Sequence, residues 1–452
     1  NIADGHHASD WFDRAASNSV WERRMTNANK QRSWLRPLLA GLVGLVVLLI
    51  ALVAWLNVRG EAPVEPGPAN VQASASVIER GAYLARVGNC IGCHTTTGGA
   101  AFAGGRGVDT PFGVVVAPNI TSDVKTGIGS WSAGEFWRAM HHGRSKDGRL
   151  LYPAFPYPSF TYVTREDSDA LYAFLKSTPA VERPNQSHRL GFPYNTQAAL
   201  AVWRALYFRA GEFEPQAEQP AEWNRGKYLV QGLGHCAACH SGRNFLGGTS
   251  LNAEFAGGLM PDATWYAPSL ASPGEAGVQK WKRDEVVKLL KDGVVSHASV
   301  SGPMAEVVFS STQYLSGADL DAMARYLAAI PQRDNEPREV KRADGDVFAR
   351  GGKLYDQHCA SCHGNKGQGV AGIYPALAGN RAVTLASHNN LVQVIRQGGF
   401  MPTTAGNPQP FGMPPFGQVL NNDEIAAVSS FIRQSWGNSA APVSSLDVLH
   451  VK

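Results

Sequence analysis

Cys90-Ile91-Gly92-Cys93-His94 is the stretch on which the reading of this chain turns. The same pattern returns as Cys236-Ala237-Ala238-Cys239-His240 and Cys359-Ala360-Ser361-Cys362-His363. All six cysteines of the chain fall within these three copies. A thioredoxin-like redox pair or half a zinc site could explain one C-x-x-C. Neither explains three copies with His in the same place each time and no Cys left over. C-x-x-C-H is the pattern of c-type haem attachment: two thiols form thioethers to the porphyrin vinyl groups, and the following His is the proximal iron ligand. Cys90, Cys93, Cys236, Cys239, Cys359 and Cys362 are therefore the expected attachment thiols of three covalent haems c. His94, His240 and His363 are their expected iron ligands.

Outward from each motif runs a unit that occurs three times. It opens on Glu79-Arg80-Gly81-Ala82-Tyr83-Leu84, Asn224-Arg225-Gly226-Lys227-Tyr228-Leu229 and Ala349-Arg350-Gly351-Gly352-Lys353-Leu354. Each opening is a short helical run whose Gly lets another helix approach closely. Each unit closes on an amphipathic helix. The first is capped at Thr164 with Leu171, Phe174 and Leu175 on one face, the second carries Leu320, Met323 and Leu327, and the third begins at Asn421 and carries Ile425, Val428 and Ile432. Helix, motif, middle helix, Pro-rich loop and closing helix resemble the class I cytochrome c fold. The units span residues 77–190, 215–335 and 342–438, with linkers at 212–222 and 332–343.

A haem iron with a proximal His has one more axial position, and Met commonly fills it in electron-transfer cytochromes. Its expected carrier is the loop between middle and closing helices. In the second unit this gives Met304, within Ser301-Gly302-Pro303-Met304. In the third it gives Met413, within Phe411-Gly412-Met413-Pro414-Pro415-Phe416, with Met401 as a rival. Gap-filling in a core is the bland alternative for any Met. At the same place the first unit has Tyr152-Pro153-Ala154-Phe155-Pro156-Tyr157, and phenylalanine cannot bind iron. Met140 on the middle helix is a candidate substitute, although Leu290 and Ile395 hold its place in the other units and suggest a core role. His141 or His142 as ligand, or an open iron, are the other possibilities.

Residues 37–56 form 20 uncharged, apolar residues, long enough to span a bilayer as a helix. Arg14, Arg23, Arg24, Lys30, Arg32 and Arg36 precede them, and only Arg59 follows closely. This imbalance places residues 1–36 in the cytoplasm and everything after Gly60 outside, which for a Gram-negative inner membrane means a single-pass protein with periplasmic haem domains. Residues 57–76 are a Pro-, Ala- and Ser-rich spacer. The fold class expected is thus mainly α: one N-terminal transmembrane helix followed by three tandem class I cytochrome c domains. A net charge of +4 over 452 residues gives no footing for nucleic acid. No Ser-His-Asp pattern, dinucleotide fingerprint or paired acids stand out, so substrate chemistry has no home in this chain.

With these features the chain resembles the three-haem cytochrome c subunit of the membrane-bound dehydrogenases of acetic acid bacteria. The likeness covers residues 75–438. It rests on Thr110-Pro111-Phe112-Gly113, Pro118-Asn119-Ile120-Thr121, Gly127-Ile128-Gly129-Ser130-Trp131 and the stretch from Asp147 to Tyr157, with Met413-Pro414-Pro415-Phe416-Gly417 and Ser435-Trp436-Gly437-Asn438 near the end. The resemblance implies that electrons come from a separate catalytic dehydrogenase subunit and pass to ubiquinone in the membrane. That subunit holds pyrroloquinoline quinone for alcohols, a flavin for sugars and sugar acids, or molybdopterin with iron–sulfur clusters for aldehydes. Alcohol and flavin types usually carry Met at the place of Phe155, so the Phe version looks more like the aldehyde type, with the alcohol type next. A free-standing multihaem electron carrier is the competing reading.

Overall fold

The computed structural model describes residues 36–64, 73–249, 254–261, 263–333 and 340–451. Arg14, Arg23, Arg24, Lys30 and Arg32 lie outside these, as do residues 65–72 of the spacer and 334–339 of the second linker. The chain divides into two units, residues 1–61 and 62–452, and each is described by itself.

In the first unit, helix α1 (Arg36–Val58) contains 23 residues and is long and apolar enough to cross a membrane. At 1.5 Å per residue it is about 34 Å long. Most of its Leu, Val and Ile side chains are exposed. The helix outruns the apolar stretch at both ends, because backbone hydrogen bonding continues where hydrophobicity stops. Near the end Asn57 Nδ2 donates back to the Val53 carbonyl at 2.8 Å, and the Arg59 guanidinium lies 5.3 Å from the Trp55 ring centroid.

The second unit holds three repeats. The first runs α2 (Ala75–Val87), α3 (Cys90–His94), β1 (Gly107–Thr110), β2 (Gly113–Val116), α4 (Ala133–His142), α5 (Tyr157–Phe160), α6 (Arg165–Ser177) and β3 (Arg189–Leu190). The strands form an antiparallel sheet in the order β1-β2-β3, pairing Gly107 with Val116 and Gly113 with Leu190. After α7 (Gln197–Tyr207) the second repeat runs α8 (Ala221–Gln231), α9 (Ala237–His240), the pair β4 (Gly258–Leu259) and β5 (Tyr266–Ala267), α10 (Arg283–Asp292), the pair β6 (Val294–Val295) and β7 (Ala298–Ser299), α11 (Gly302–Ser310) and α12 (Gly317–Ala328). The third has α13 (Gly345–His358), α14 (Ala360–His363), α15 (Arg381–Thr384), α16 (Asn389–Gln397), the pair β8 (Gly399–Phe400) and β9 (Gly412–Met413), α17 (Asn422–Gln434) and α18 (Ser445–His450).

Opening and closing helices cross at the glycines the sequence singles out. A Cβ on Gly81, Gly226 or Gly351 would overlap the carbonyl oxygen of Ala170, Ala322 or Ala427 respectively. The closing helices start on side-chain caps: Thr164, Ser316 and Asn421 accept from the backbone N–H of Asp167, Asp319 and Glu424. All three middle helices end on a glycine with positive φ, Gly143, Gly293 and Gly398; the first two are left-handed caps of the kind a helix C-terminus favours.

The first two repeats share one core, in which Leu84, Leu171 and Leu175 join Leu229, Leu233 and Leu320. The third has its own core around Tyr355, Val392, Ile425 and Val428, extended by Val448 and Val451 at the C-terminus. Two reciprocal polar clusters join the first pair of repeats. Tyr83 Oη donates to Asp319 Oδ2 at 2.6 Å, and Asp319 is also held by Arg225 through Nε at 2.8 Å and Nη2 at 2.9 Å. In mirror fashion Tyr228 Oη donates to Asp167 Oδ2 at 2.6 Å, and Asp167 is held by Arg80 Nε at 2.8 Å. The third repeat has Lys353 at the Tyr position, so its Arg350 pairs with Glu424 alone, at 3.1 Å.

Besides the short α5 and α15, three helices were not assigned from the sequence: α7, α18 and α11, which stands where a loop carrying Met304 was expected, because Gly302-Pro303 opens a helical turn there instead of extending the loop. In α7 a buried arginine, Arg204, interrupts the apolar stripe and donates to the His142 carbonyl. The helix α18 has six residues, too few to show a 3.6-residue period.

Three candidate haem centres

Each C-x-x-C-H motif forms one helical turn shortly after an opening helix, which places both thiols and the imidazole together. The six thiols are free. Burial pushes the Cys90 and Cys236 thiols up to about 12 and that of Cys359 to about 11. Among the described residues, no group of three or more His, Cys, Asp and Glu side chains gathers to hold a metal ion.

The imidazoles share one arrangement. His94 Nδ1 donates to the Pro118 carbonyl at 2.7 Å, His240 Nδ1 to that of Pro268 at 2.7 Å, and His363 Nδ1 to that of Pro375 at 3.0 Å. A carbonyl can only accept, so the proton sits on Nδ1 and Nε2 keeps its lone pair. Burial lowers the pKa of all three His, which keeps them neutral. Orientation of a metal-ligating imidazole through its other nitrogen is what an iron ligand requires.

The surrounding backbone repeats as well. The carbonyls of His94, His240 and His363 accept from Gly104, Gly257 and Gly369, each at 2.8 Å. Two residues before these glycines, Phe102, Phe255 and Gly367 all adopt left-handed φ of 57–62° and accept from Ile120, Leu270 and Leu377. Sequence reasoning missed the proline carbonyls. Their signal is Pro118-Asn119-Ile120, Pro268-Ser269-Leu270 and Pro375-Ala376-Leu377, a recurring Pro-x-Ile/Leu at unequal distances from the motifs.

In the third repeat, Cys359, Cys362, His363, Ile395, Met401 and Met413 line one cavity of about 520 Å³. Met413 is fixed there because β9 pairs Met413 with Gly399, just past the Gly398 cap of α16. In the second repeat Met304 lies in the first turn of α11, packed with Leu289, Val300, Ala305 and Val308. Trp265 stacks beneath Gly302, and both also line the third-repeat cavity.

In the first repeat Phe155 is packed against the shared core, with its ring 5.2 Å from Phe160. Phe160 in turn meets His235, beside the second motif, at 5.5 Å. Met140 is buried in the same core. It stands three residues before its cap glycine, the place of Ile395, which lines the third cavity. Successive helix residues are about 100° apart, so His141 and His142 point elsewhere. His141 stacks on Trp137 at 4.4 Å, and the His142 ring meets it edge-on at 4.6 Å. Each motif sets two thiols beside an imidazole oriented through Nδ1, three times over. The donor set as a whole fits haem c.

The cytochrome c family model matches residues 78–179 and 348–436. The chain is 37% identical over 397 residues to the cytochrome c subunit of the quinone-type alcohol dehydrogenase of Gluconacetobacter polyoxogenes, covering 84% of this chain and 85% of that protein. It is 36% identical over 402 residues to the gluconate 2-dehydrogenase cytochrome c subunit of Pantoea cypripedii, covering 85% and 91%. It is 33% identical over 449 residues to the fructose dehydrogenase cytochrome subunit of Gluconobacter japonicus, covering 93% and 90%. Such identity over most of both chains leaves one assignment: the chain belongs to the family of cytochrome c electron-transfer subunits of dehydrogenase complexes, whose domains carry covalently bound haem c.

Proposed function

We propose that this chain binds three haems c and carries electrons from a separate catalytic dehydrogenase subunit to ubiquinone. The observation that carries the reading is the recurrence, in all three repeats, of a motif His whose Nδ1 is tied to a proline carbonyl. The attachment thiols are Cys90 and Cys93, Cys236 and Cys239, and Cys359 and Cys362. The proximal ligands are His94, His240 and His363, with Met304 and Met413 as sixth ligands of the second and third sites. Met140 serves the first site, because Ile395 at its place faces the third cavity. Bound haem supplies one-electron chemistry at potentials raised by Met ligation. The protein supplies position, water exclusion and neutral imidazoles.

Helix α1 anchors the chain in the bacterial inner membrane, with its N-terminus cytoplasmic and the repeats in the periplasm. Its exposed apolar surface and the basic residues ahead of it support this. Three relatives of nearly equal identity are named for an alcohol, a sugar acid and a sugar, which supports placing substrate choice in the partner. Phe155 favours an aldehyde-oxidising partner with molybdopterin and iron–sulfur clusters over a quinoprotein or flavoprotein, and the cofactor of the co-purifying subunit tests this. For the route itself, Cys93→Ala or His94→Ala should abolish quinone reduction while the catalytic subunit still reduces a soluble dye. Surviving quinone reduction would take the first haem off the route.

A further inference from the structure

Arg106, two residues past Gly104, reaches from the first repeat into the second. Its Nη1 donates to the Gly92 carbonyl inside the first motif at 2.5 Å. Its guanidinium also pairs with both carboxylate oxygens of Glu306, Nη2 to Oε2 at 2.8 Å. Glu306 stands two residues after Met304 on α11. At the far end of that helix Ser310 Oγ donates to Asn89 Oδ1 at 2.7 Å, and Ser311 Oγ donates to the Val87 carbonyl at 3.3 Å. Asn89, left-handed at φ 49°, tucks its amide beneath Gly92, where a Cβ would meet it at 2.7 Å.

Helix α11 is thus fastened at three points to residues 87–92 of another repeat. A nine-residue helix is marginal on its own, and within its own repeat α11 packs on Trp265 at Gly302 and in the small cluster around Val300 and Val308. The third repeat differs. Met413 is held by strand pairing to Gly399, and the adjacent Phe416 N–H donates to the Ile395 carbonyl at 2.9 Å, all within one repeat. Those bonds around Met413 lie within its own repeat, whereas the helix that carries Met304 is also tied to the first repeat.

We propose that Arg106 is a positioning residue for the second haem: by clamping Glu306 to the Gly92 carbonyl it holds α11, and with it the Met304 sulfur, in place from the first repeat's motif turn. This rests on Met304 being the sixth ligand, and the test separates the two. The full haem-loaded chain is compared with Arg106→Ala, Glu306→Gln, Met304→Ala and the Arg106→Ala/Met304→Ala double variant. The readouts are haem content, the far-red Met–iron band and imidazole binding. Met304→Ala should remove one Met-ligated haem's share of the band and open one site to imidazole. Arg106→Ala should keep three haems and raise imidazole affinity at one of them roughly tenfold, the scale of a half-exposed bidentate pair plus one hydrogen bond. Glu306→Gln should raise it about threefold by the same reasoning, and in the double variant Arg106→Ala should add nothing to Met304→Ala.

If Met304→Ala leaves band and imidazole binding unchanged, the ligand assignment fails. The clamp fails if Met304→Ala acts as expected but Arg106→Ala and Glu306→Gln bind imidazole like the parent. It also fails if Arg106→Ala has the same effect without Met304. Should Arg106→Ala lose haem altogether, the near-isosteric Glu306→Gln decides.

Discussion

Replacing Tyr228 by Phe removes one oxygen from the interface between the first two repeats, and its effect can be worked from the geometry. Tyr228 is 5% exposed and gives its hydroxyl proton to Asp167 Oδ2 at 2.6 Å, while the Thr164 N–H donates to Tyr228 Oη at 3.2 Å. The Asp167 side chain is 2% exposed, so the carboxylate cannot turn to water for a replacement. Loss of a hydrogen bond to a buried charge costs about 1.5–3 kcal/mol, and an orphaned N–H adds about 1 kcal/mol. The total is about 3 kcal/mol. Tyr83→Phe is the internal control. It strips the same bond from Asp319, but Tyr83 is only half-buried and Arg225 still holds both carboxylate oxygens, giving about 1 kcal/mol.

Scanning calorimetry of the haem-loaded chain is the assay. The first two repeats share one core and the third has its own, so two transitions are expected. At about 2–4 °C per kcal/mol for a body of this size, Tyr228→Phe should lower the melting temperature of the first-and-second-repeat transition by about 6–12 °C. Tyr83→Phe should lower it by about 2–4 °C, and the third-repeat transition should stay put in both. Equal movement of both transitions, or a larger effect from Tyr83→Phe, would refute the reasoning.

Gly226→Ala should destabilise the second repeat by about 3 kcal/mol, because its Cβ meets the backbone carbonyl of Ala322 rather than a side chain that could move; melting and haem content check it. Met413→Ala should remove the third haem's share of the far-red band while Met401→Ala leaves it, although both side chains line the same cavity. Burial, with the nearby charge of His141, Arg204, Arg144 and Arg138, holds His142 down at about 4. Because this lies below the ordinary value of about 6.5, the unfolded chain binds the proton more readily. The stability contribution is therefore full above about pH 6.5 and falls by about 3 kcal/mol toward pH 4. Melting of His142→Gln across that window should show a flatter slope than the parent.

The five residues of each motif declare their chemistry without help from the fold, because one helical turn suffices to bring two thiols and an imidazole together. The closing helices were equally legible, since their caps and apolar stripes are local signals. The prolines that orient the imidazoles were not, although Pro-x-Ile/Leu recurs, because the loops that carry them differ in length.

The sequence by itself determined what each repeat is made of: where haem is expected to attach, which helices cross at a glycine, and which stretch is apolar enough to span a membrane. Only the tertiary structure decided how the repeats belong together. Tyr83 and Asp319 lie 236 residues apart, and Arg106 and Glu306 lie 200 apart. Nothing in either local sequence names its partner. The pairing exists because two repeats bury their helices in one core and so bring each repeat's motif turn against the other's distal loop. The third repeat, with Lys353 where its siblings have Tyr, keeps a core of its own.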